Sequence, residues 1–426
     1  MDLLLAFVIT LALITLISIK HRISAFFTLI GGSILFGLLA GLTLDATLGG
    51  IATGIGNVFS AFGIIILCGA VIGKLLQEQH QIEEMVADIQ GRIKNPPVIA
   101  GVSGYLLAVL ITCCITAYIL LNPILDRFEK DPKKRNVLLY LVAVGSIISY
   151  ALIYPTPVVI PLFDAFSGGM SPLVFDAITI PLSLVALAGI LFFFRWWCSG
   201  GTKGGTPDTS GDSPSAGVIT GSNDTFHWRA WAPFIAIVAS IPIALFVLNL
   251  SHMSMINFIM LIGTGTALAL CPPTARFQGL AQGAKHAGII IFDICGAGAL
   301  GFVIVRSGFA QAALGQLTLF IPIILVPFLF AALIETAQGS RVVTAVVTAE
   351  VLAGSAVVGA IHPVPLILLI SAGSCIVSYV TDPYFWLVQR TTGDDIRTVV
   401  RNYTLPVAMV GIFLLIVALG LEFFIF

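Results

Sequence analysis

Apolar residues in this chain come in long blocks, and the charged residues collect between the blocks instead of alternating within them. Each block is long enough to cross a hydrocarbon core of about 30 Å as a helix rising about 1.5 Å per residue. In the first half the blocks predict spans over Leu3 to Ile19, Ile23 to Leu42, Ser60 to Leu76, Val137 to Phe166 and Pro172 to Phe194. In the second half they predict spans over Trp231 to Leu250, Met253 to Leu270, Gly288 to Val305, Val364 to Val388 and Pro406 to Ile425. Two further stretches, Pro97 to Leu125 and Leu317 to Val351, are too long for one straight crossing and carry polar or glycine residues near their middles. They predict broken helices or re-entrant hairpins.

Composition agrees with this pattern. With 58% hydrophobic and 10% charged residues, against about 25% charged in a soluble domain, the chain reads as an all-α polytopic membrane protein without a separate soluble domain. The opening MDLLLAFVIT has no basic residue ahead of its apolar run and no small-residue cleavage site behind it, so it predicts a first helix and not a signal peptide. The seven cysteines show no CxxC or Cys/His spacing, which argues against disulfides and a metal site.

A net charge of −1 hides where the charges lie. Lys and Arg near helix ends collect on the cytoplasmic side. Lys74, Arg92 and Lys94 precede the stretch Pro97 to Leu125, and Arg127, Lys130, Lys133, Lys134 and Arg135 follow it. Both of its ends are then cytoplasmic, and the segment becomes a hairpin turning near Thr112 to Cys114. With both chain termini outside, 18 of the 20 Lys and Arg residues fall in the cytoplasm; Arg306 is left outside and Arg341 inside the second hairpin. The expected organisation is an N-terminal repeat (1–198, hairpin 97–125), a flexible cytoplasmic linker (199–228) rich in Gly, Ser, Thr and Pro, and a C-terminal repeat of opposite orientation (229–426, hairpin 317–351). Each repeat has about five spans and one hairpin. Gly63–Gly73 resembles Gly288–Gly301, and Ser149-Tyr150 before Pro155 resembles Ser378-Tyr379 before Pro383, at offsets between 225 and 229.

Inverted repeats with helices broken at mid-membrane are an architecture of secondary transporters, whose site lies where the breaks meet. Irregular backbone inside a membrane is tolerated only when buried or lining a wet cavity. Four breaks are expected: the tips at Thr112 to Thr116 and Gln338 to Arg341, and the interruptions at Tyr154 to Pro157 and Thr381 to Pro383. At the second tip Gln338, Gly339, Ser340 and Arg341 precede a helix, so free N–H groups and a planar guanidinium favour a carboxylate. Arg341 has alternatives: snorkelling, or a structural pair with Glu335. Asp382, beside Thr381 and before Pro383, is a candidate cation or proton site. Asp293 and Glu335 are further candidates for ion coupling, or carboxylates that bond a neighbouring helix. Thr112, Cys113 and Thr116 at the first tip, with Tyr150, Tyr154, Thr156, Ser374, Ser378 and Tyr379 near the breaks, complete a polar lining or join helices by hydrogen bonds. No Walker loop, HExxH or nucleophile elbow occurs, which argues against ATP-driven pumping and intramembrane hydrolysis.

Three stretches carry a resemblance: Cys295 to Gly301, Ala337 to Ser340 with Thr344 to Ala349, and Ala372 to Trp386. They resemble the gluconate permease family, more closely in the C-terminal half. What the resemblance implies is proton-coupled uptake of sugar acids and similar hydroxy acids by a dimer of the ion transporter superfamily, through an elevator-like movement. It places Gln338, Gly339, Ser340, Ser374 and Asp382 in the binding region.

The departures from the family pattern are specific. Members that take gluconate tend to have an aromatic pair and an acid at the first tip, where this chain has Thr112 to Thr116. They tend to have histidines around the first broken helix, where it has Ser149 to Thr156. A His-Val-Asn-Asp run has become Tyr379 to Asp382, and a basic residue before the second tip has become Glu335 while Arg341 follows the tip. A smaller or less hydroxylated carboxylate suits such a pocket. The expected function is secondary transport of a small organic anion across the cell inner (cytoplasmic) membrane by a homodimer, with the proton as coupling ion and sodium as the alternative. No other cofactor and no nucleic acid are expected. A gated anion channel is the competing class.

Overall fold

The computed structural model describes residues 2–21, 25–92, 95–199, 226–248, 250, 252–309, 312, 320–379 and 382–425. The expected linker falls almost entirely outside the described residues, as does Thr381. Among the described residues there are helices and no strands.

The first half opens with α1 (Leu3–His21), α2 (Ala25–Leu39), α3 (Leu44–Glu78) and the short amphipathic α4 (Gln81–Arg92). It continues with α5 (Pro96–Leu110), α6 (Cys114–Phe128), α7 (Pro132–Leu152), α8 (Val159–Phe166) and α9 (Pro172–Ser199). The second half begins with α10 (Trp228–Pro242), α11 (His252–Leu270) and α12 (Pro273–Arg306). Then follow α13 (Val326–Gln338), α14 (Arg341–Leu352), α15 (Pro363–Ile376), α16 (Pro383–Thr392) and α17 (Ile396–Phe424), the last with a π-helical turn at Val400–Thr404.

By length and composition α7, α9, α12 and α17 each suffice to cross a membrane, and a fifth crossing is available if the two arms of α3, bent by 48°, count as one. Other apolar helices are shorter, and of these α5, α13 and α15 end at the tips and interruptions. Outward faces are apolar: Phe192 is 72% exposed and Ile416 63% exposed. Large apolar faces of this kind fit lipid. The protein is an integral membrane protein.

Hydropathy underestimates two helices. The spans expected at Ser60 to Leu76 and Gly288 to Val305 are the apolar parts of α3 and α12, which extend N-terminally through small and polar residues. Packing explains the extension. α3 lies along α12, and at their crossing a Cβ on Gly54 would stand 2.7 Å from the carbonyl carbon of Gly298, while one on Gly298 would stand 2.6 Å from the carbonyl oxygen of Gly54. Only hydrogen side chains permit this approach, the usual means of close helix packing in membranes.

Packing gathers most helices into two sets, joined where α12 packs on α14 and α1 on α13. α1, α2 and α3 associate with α10, α11 and α12; α2 packs on α12 and α11 on α3. In the other group α5 and α6 pack on α7 as α13 and α14 pack on α15, and α8 touches α15 as α16 touches α7. Both long stretches are helix, tip, helix, as their length predicted: α5–α6 and α13–α14. Both interrupted spans are also as expected: α7–α8 opens at 153–158, and α15–α16 is interrupted after Ile376, with 377–379 and Asp382 non-helical.

Candidate functional site

The two tips have one backbone design. At the first, Cys113 N–H reaches back to the carbonyl of Ala108 (3.1 Å), and Thr112 turns into the left-handed region (φ 53). At the second, Gly339 takes the left-handed conformation (φ 69) and its N–H donates to the carbonyl of Glu335 (2.7 Å). An extended residue follows in each case and caps the next helix. Cys113 Sγ accepts from Thr116 N–H (3.4 Å), and Ser340 Oγ accepts from Val343 N–H (3.5 Å). α6 and α14 therefore begin with their N-termini at the tips, where the helix dipole is positive.

A cavity of about 300 Å³ opens between the tips. Thr112 to Thr116 line it from one side and Gly339 to Val342 from the other; Tyr150, Pro157 and Asp382 to Tyr384 reach it from the two interruptions. Its remaining wall comes from α3 (Ile66, Ala70) and from α12, including His286 and Ile290. The four expected breaks thus meet at one place.

Arg341, the first residue of α14, is 5% exposed and lines this cavity. Its Nη1 lies 3.5 Å from Asp382 Oδ2, its Nη2 donates to Ser378 Oγ, and its Nε has no partner. Asp382, 2% exposed, is the N-cap of α16: Oδ1 accepts from Tyr384 N–H (2.8 Å), and Oδ2 accepts the hydroxyl of Tyr403 (2.9 Å). Both carboxylate oxygens are already committed, so the guanidinium has a nearby countercharge without a close bidentate lock. The carboxylate beside Arg341 is Asp382, not Glu335. Glu335 is fully buried in the last turns of α13, and its Oε2 accepts from Thr344 Oγ1 (2.8 Å).

The other sequence candidates divide. Thr116 Oγ1 sits 2.8 Å from His286 Nε2 and 3.1 Å from Cys113 Sγ at the cavity edge. Tyr150 lines the cavity, whereas Thr156 spends its hydroxyl on the Tyr150 carbonyl (2.7 Å) and holds the interruption together. The N–H of Tyr154 is bound by Asp176 of α9 (3.0 Å), away from the cavity lining. Ser374 donates to its own helix at Ser371 (2.8 Å), and Tyr379 lies 40% exposed with its ring on Phe385. Gln338 and Asp293 belong to α13 and α12, with side chains outside the described set.

Three site residues escaped the sequence reading. His286 lies in the part of α12 that hydropathy does not mark. Tyr403 reaches Asp382 from the π-helical turn of α17. Tyr384 joins the halves, with its hydroxyl 2.9 Å from Ser146 Oγ and its ring against Tyr118 and Tyr403. A tyrosine directly after the Asp382-Pro383 pair was a readable signal; the other two were not.

Comparison with known proteins adds the following. A family model described as GntP family permease matches residues 2–208 and 230–424. A high-affinity gluconate transporter of Escherichia coli is 23% identical, covering 93% of each chain. The Gnt-II system L-idonate transporter of the same organism is 25% identical, over 91% of this chain and 92% of its own. Among solved structures, the YdaH transporter of Alcanivorax borkumensis has a similar fold, with a TM-score of 0.56 at 14% identity and coverage of 89% of each chain.

Proposed function

The chain belongs to the GntP permease family, and from that premise we propose that it is a secondary active transporter carrying a small organic monoanion across the inner membrane together with a proton. The observation that carries the reading is Arg341. A buried guanidinium stands at a helix N-terminus on a cavity shared by both tips and both interruptions. An arginine fork and free helix N–H groups together recognise a carboxylate. Relatives named for gluconate and L-idonate support the organic-acid class.

The substrate we propose carries one carboxylate and a compact, lightly hydroxylated body. Arg341 is the single arginine or lysine among the described residues of the lining, and Ile66, Ile111, Ile115 and Ile290 supply much of the rest. Thr112, Cys113 and Thr116 offer only uncharged polar groups at the far tip. A longer polyol would leave several hydroxyls without partners, which is costly in a buried site.

The same proposal extends to architecture and movement. Corresponding tips fall 227 positions apart, and the packing partners of the two halves match, which supports two inverted repeats with re-entrant hairpins. Positive-inside placement supports a cytoplasmic linker and external termini. The helix sets support an elevator in which α1–α3 with α10–α12 form the fixed frame, completed by a second copy in a homodimer, and the hairpins with the interrupted helices form the moving part, sliding along the contacts of α12 with α14 and α1 with α13.

Purified protein in proteoliposomes tests the reading. A panel of D-gluconate, D-glycerate, L-lactate and glycolate is offered under an imposed proton gradient and, separately, a sodium gradient. The expected result is accumulation of a short hydroxy acid with the proton gradient, accompanied by acidification of the lumen. Absence of uptake with every acid and either gradient would falsify the transporter proposal, and unitary currents would replace it with a channel.

A further inference from the structure

Glu335 has a setting unlike that of any other acid near the cavity. It is 0% exposed, and while Oε2 is held by Thr344 Oγ1 at 2.8 Å, Oε1 has no hydrogen-bond partner. Thr344 sits one turn into α14, with its N–H on the carbonyl of Ser340. The Glu335–Thr344 bond therefore joins the two arms of the second hairpin just behind its tip. The backbone carbonyl of Glu335 itself receives the N–H of Gly339, a residue of the cavity lining.

Among the described residues, few charged and titratable groups face Glu335. They are Arg341 on α14, Asp382 at the start of α16 and Cys375 on α15. Arg341 directs its ion pair to Asp382 and a hydrogen bond to Ser378, and no ion pair joins it to Glu335. An unpaired carboxylate buried in a protein within the membrane is costly, and loss of its charge removes that cost. Asp382 offers the opposite arrangement. Each of its oxygens already accepts a hydrogen bond, from the Tyr384 N–H and the Tyr403 hydroxyl, and Arg341 stands beside it as a countercharge.

We propose that Glu335, and not Asp382, is the group that holds the coupling proton, and that its Thr344 bond is how proton occupancy reaches the second tip. The assignment rests on the transporter reading above. On the loading side a proton from water bonds to a carboxylate oxygen of Glu335 and the buried site loses one negative charge. The hairpin then carries a neutral acid behind Arg341 while the substrate anion occupies the tip. On the release side the O–H bond breaks and the proton returns to water. Asp382 stays in place as the ion-pair partner of Arg341.

Two measurements separate failure of this assignment from failure of the transport reading. The first needs no substrate: infrared difference spectra of the lipid-reconstituted protein are recorded between acid and alkaline pH. Wild type is expected to show the carbonyl stretch of a protonated carboxyl group, lost in Glu335→Gln, shifted in Glu335→Asp and kept in Asp382→Asn. Gln preserves the volume and the Thr344 hydrogen bond, so folding is retained; normal size-exclusion elution checks this. Persistence of the band in Glu335→Gln, or its loss only in Asp382→Asn, overturns the assignment.

The second uses radiolabelled D-glycerate as probe. A gradient of about one pH unit supports about tenfold accumulation at one proton per substrate. Glu335→Gln is expected to fall to simple equilibration while equilibrium exchange stays within about twofold of wild type. Full accumulation by Glu335→Gln overturns the assignment too. Loss of uptake by wild type with the infrared result intact would count against D-glycerate transport and leave the proton site standing.

Discussion

Thr112 and Gly339, 227 positions apart, occupy the same backbone post: each turns into the left-handed region just before the extended residue that opens a helix. Gly339 meets this demand without a Cβ. Thr112, branched at Cβ, meets it at a cost of about 1–2 kcal/mol. Exchanging the residue types should expose the difference. Gly339→Thr is expected to lower stability by about 1–2 kcal/mol, whereas Thr112→Gly leaves it unchanged or raises it. Thermal unfolding in detergent measures both, and equal losses would argue against equivalent tips.

Arg341 is expected to dominate anion affinity. Arg341→Ala removes the fork and its charge, so ligand-induced stabilisation should weaken by about two orders of magnitude in the binding constant. Arg341→Lys should recover only part, because a point charge lacks the planar pair of donors. Thermal-shift titration with the acid that wild type binds reads this directly. Undiminished binding by Arg341→Ala would remove the residue from the site.

Replacing Asp382 with Asn keeps a capping oxygen for Tyr384 N–H and deletes the countercharge beside Arg341. Stranding a buried cation costs about 3 kcal/mol or more. Removing both charges in Asp382→Asn with Arg341→Gln should return part of that stability. A double-mutant cycle by denaturation gives the coupling, and a coupling near zero would show the 3.5 Å pair to be incidental.

The crossing of α3 and α12 should tolerate no side chain. Gly54→Ala and Gly298→Ala each place a methyl on the opposite backbone, and overpacking of this kind costs about 1–3 kcal/mol. Gly56, where an added Cβ meets nothing within 4 Å, is the control. Equal behaviour of Gly54→Ala and Gly56→Ala in thermal unfolding would contradict the contact.

What could be read from the sequence follows from where the physics is local. Proline, glycine and polar residues inside apolar runs mark a break wherever they occur, so Thr112 to Cys114, Tyr154 to Pro157, Gly339 and Asp382-Pro383 were visible. So was Arg341, since an intramembrane cation stands out against its neighbours. The N-terminal part of α12 was not. Its small and polar composition reads as a loop, and it is helical alongside α3, where Gly279 and Gly283 come against Leu75 and Val71. His286 was hidden with it. The partnership of Asp382 with Tyr403 depends on a π-helical turn whose position no hydrophobic period marks. Glu335 was legible as an acid but not as one with a vacant oxygen, because that depends on where Arg341 directs its bonds.

At the first tip, the place equivalent to Arg341 is held by Cys114, also the first residue of its helix and also on the cavity lining. On the proposed reading of Arg341, the fold has two matching sockets for a recognition group, one fitted with a charge and the other left neutral. Selectivity can then evolve at a single codon in either half while the backbone stays as it is. A lineage that places a base at position 114 would turn toward substrates with two acidic ends, and one that discards Arg341 would turn toward neutral solutes.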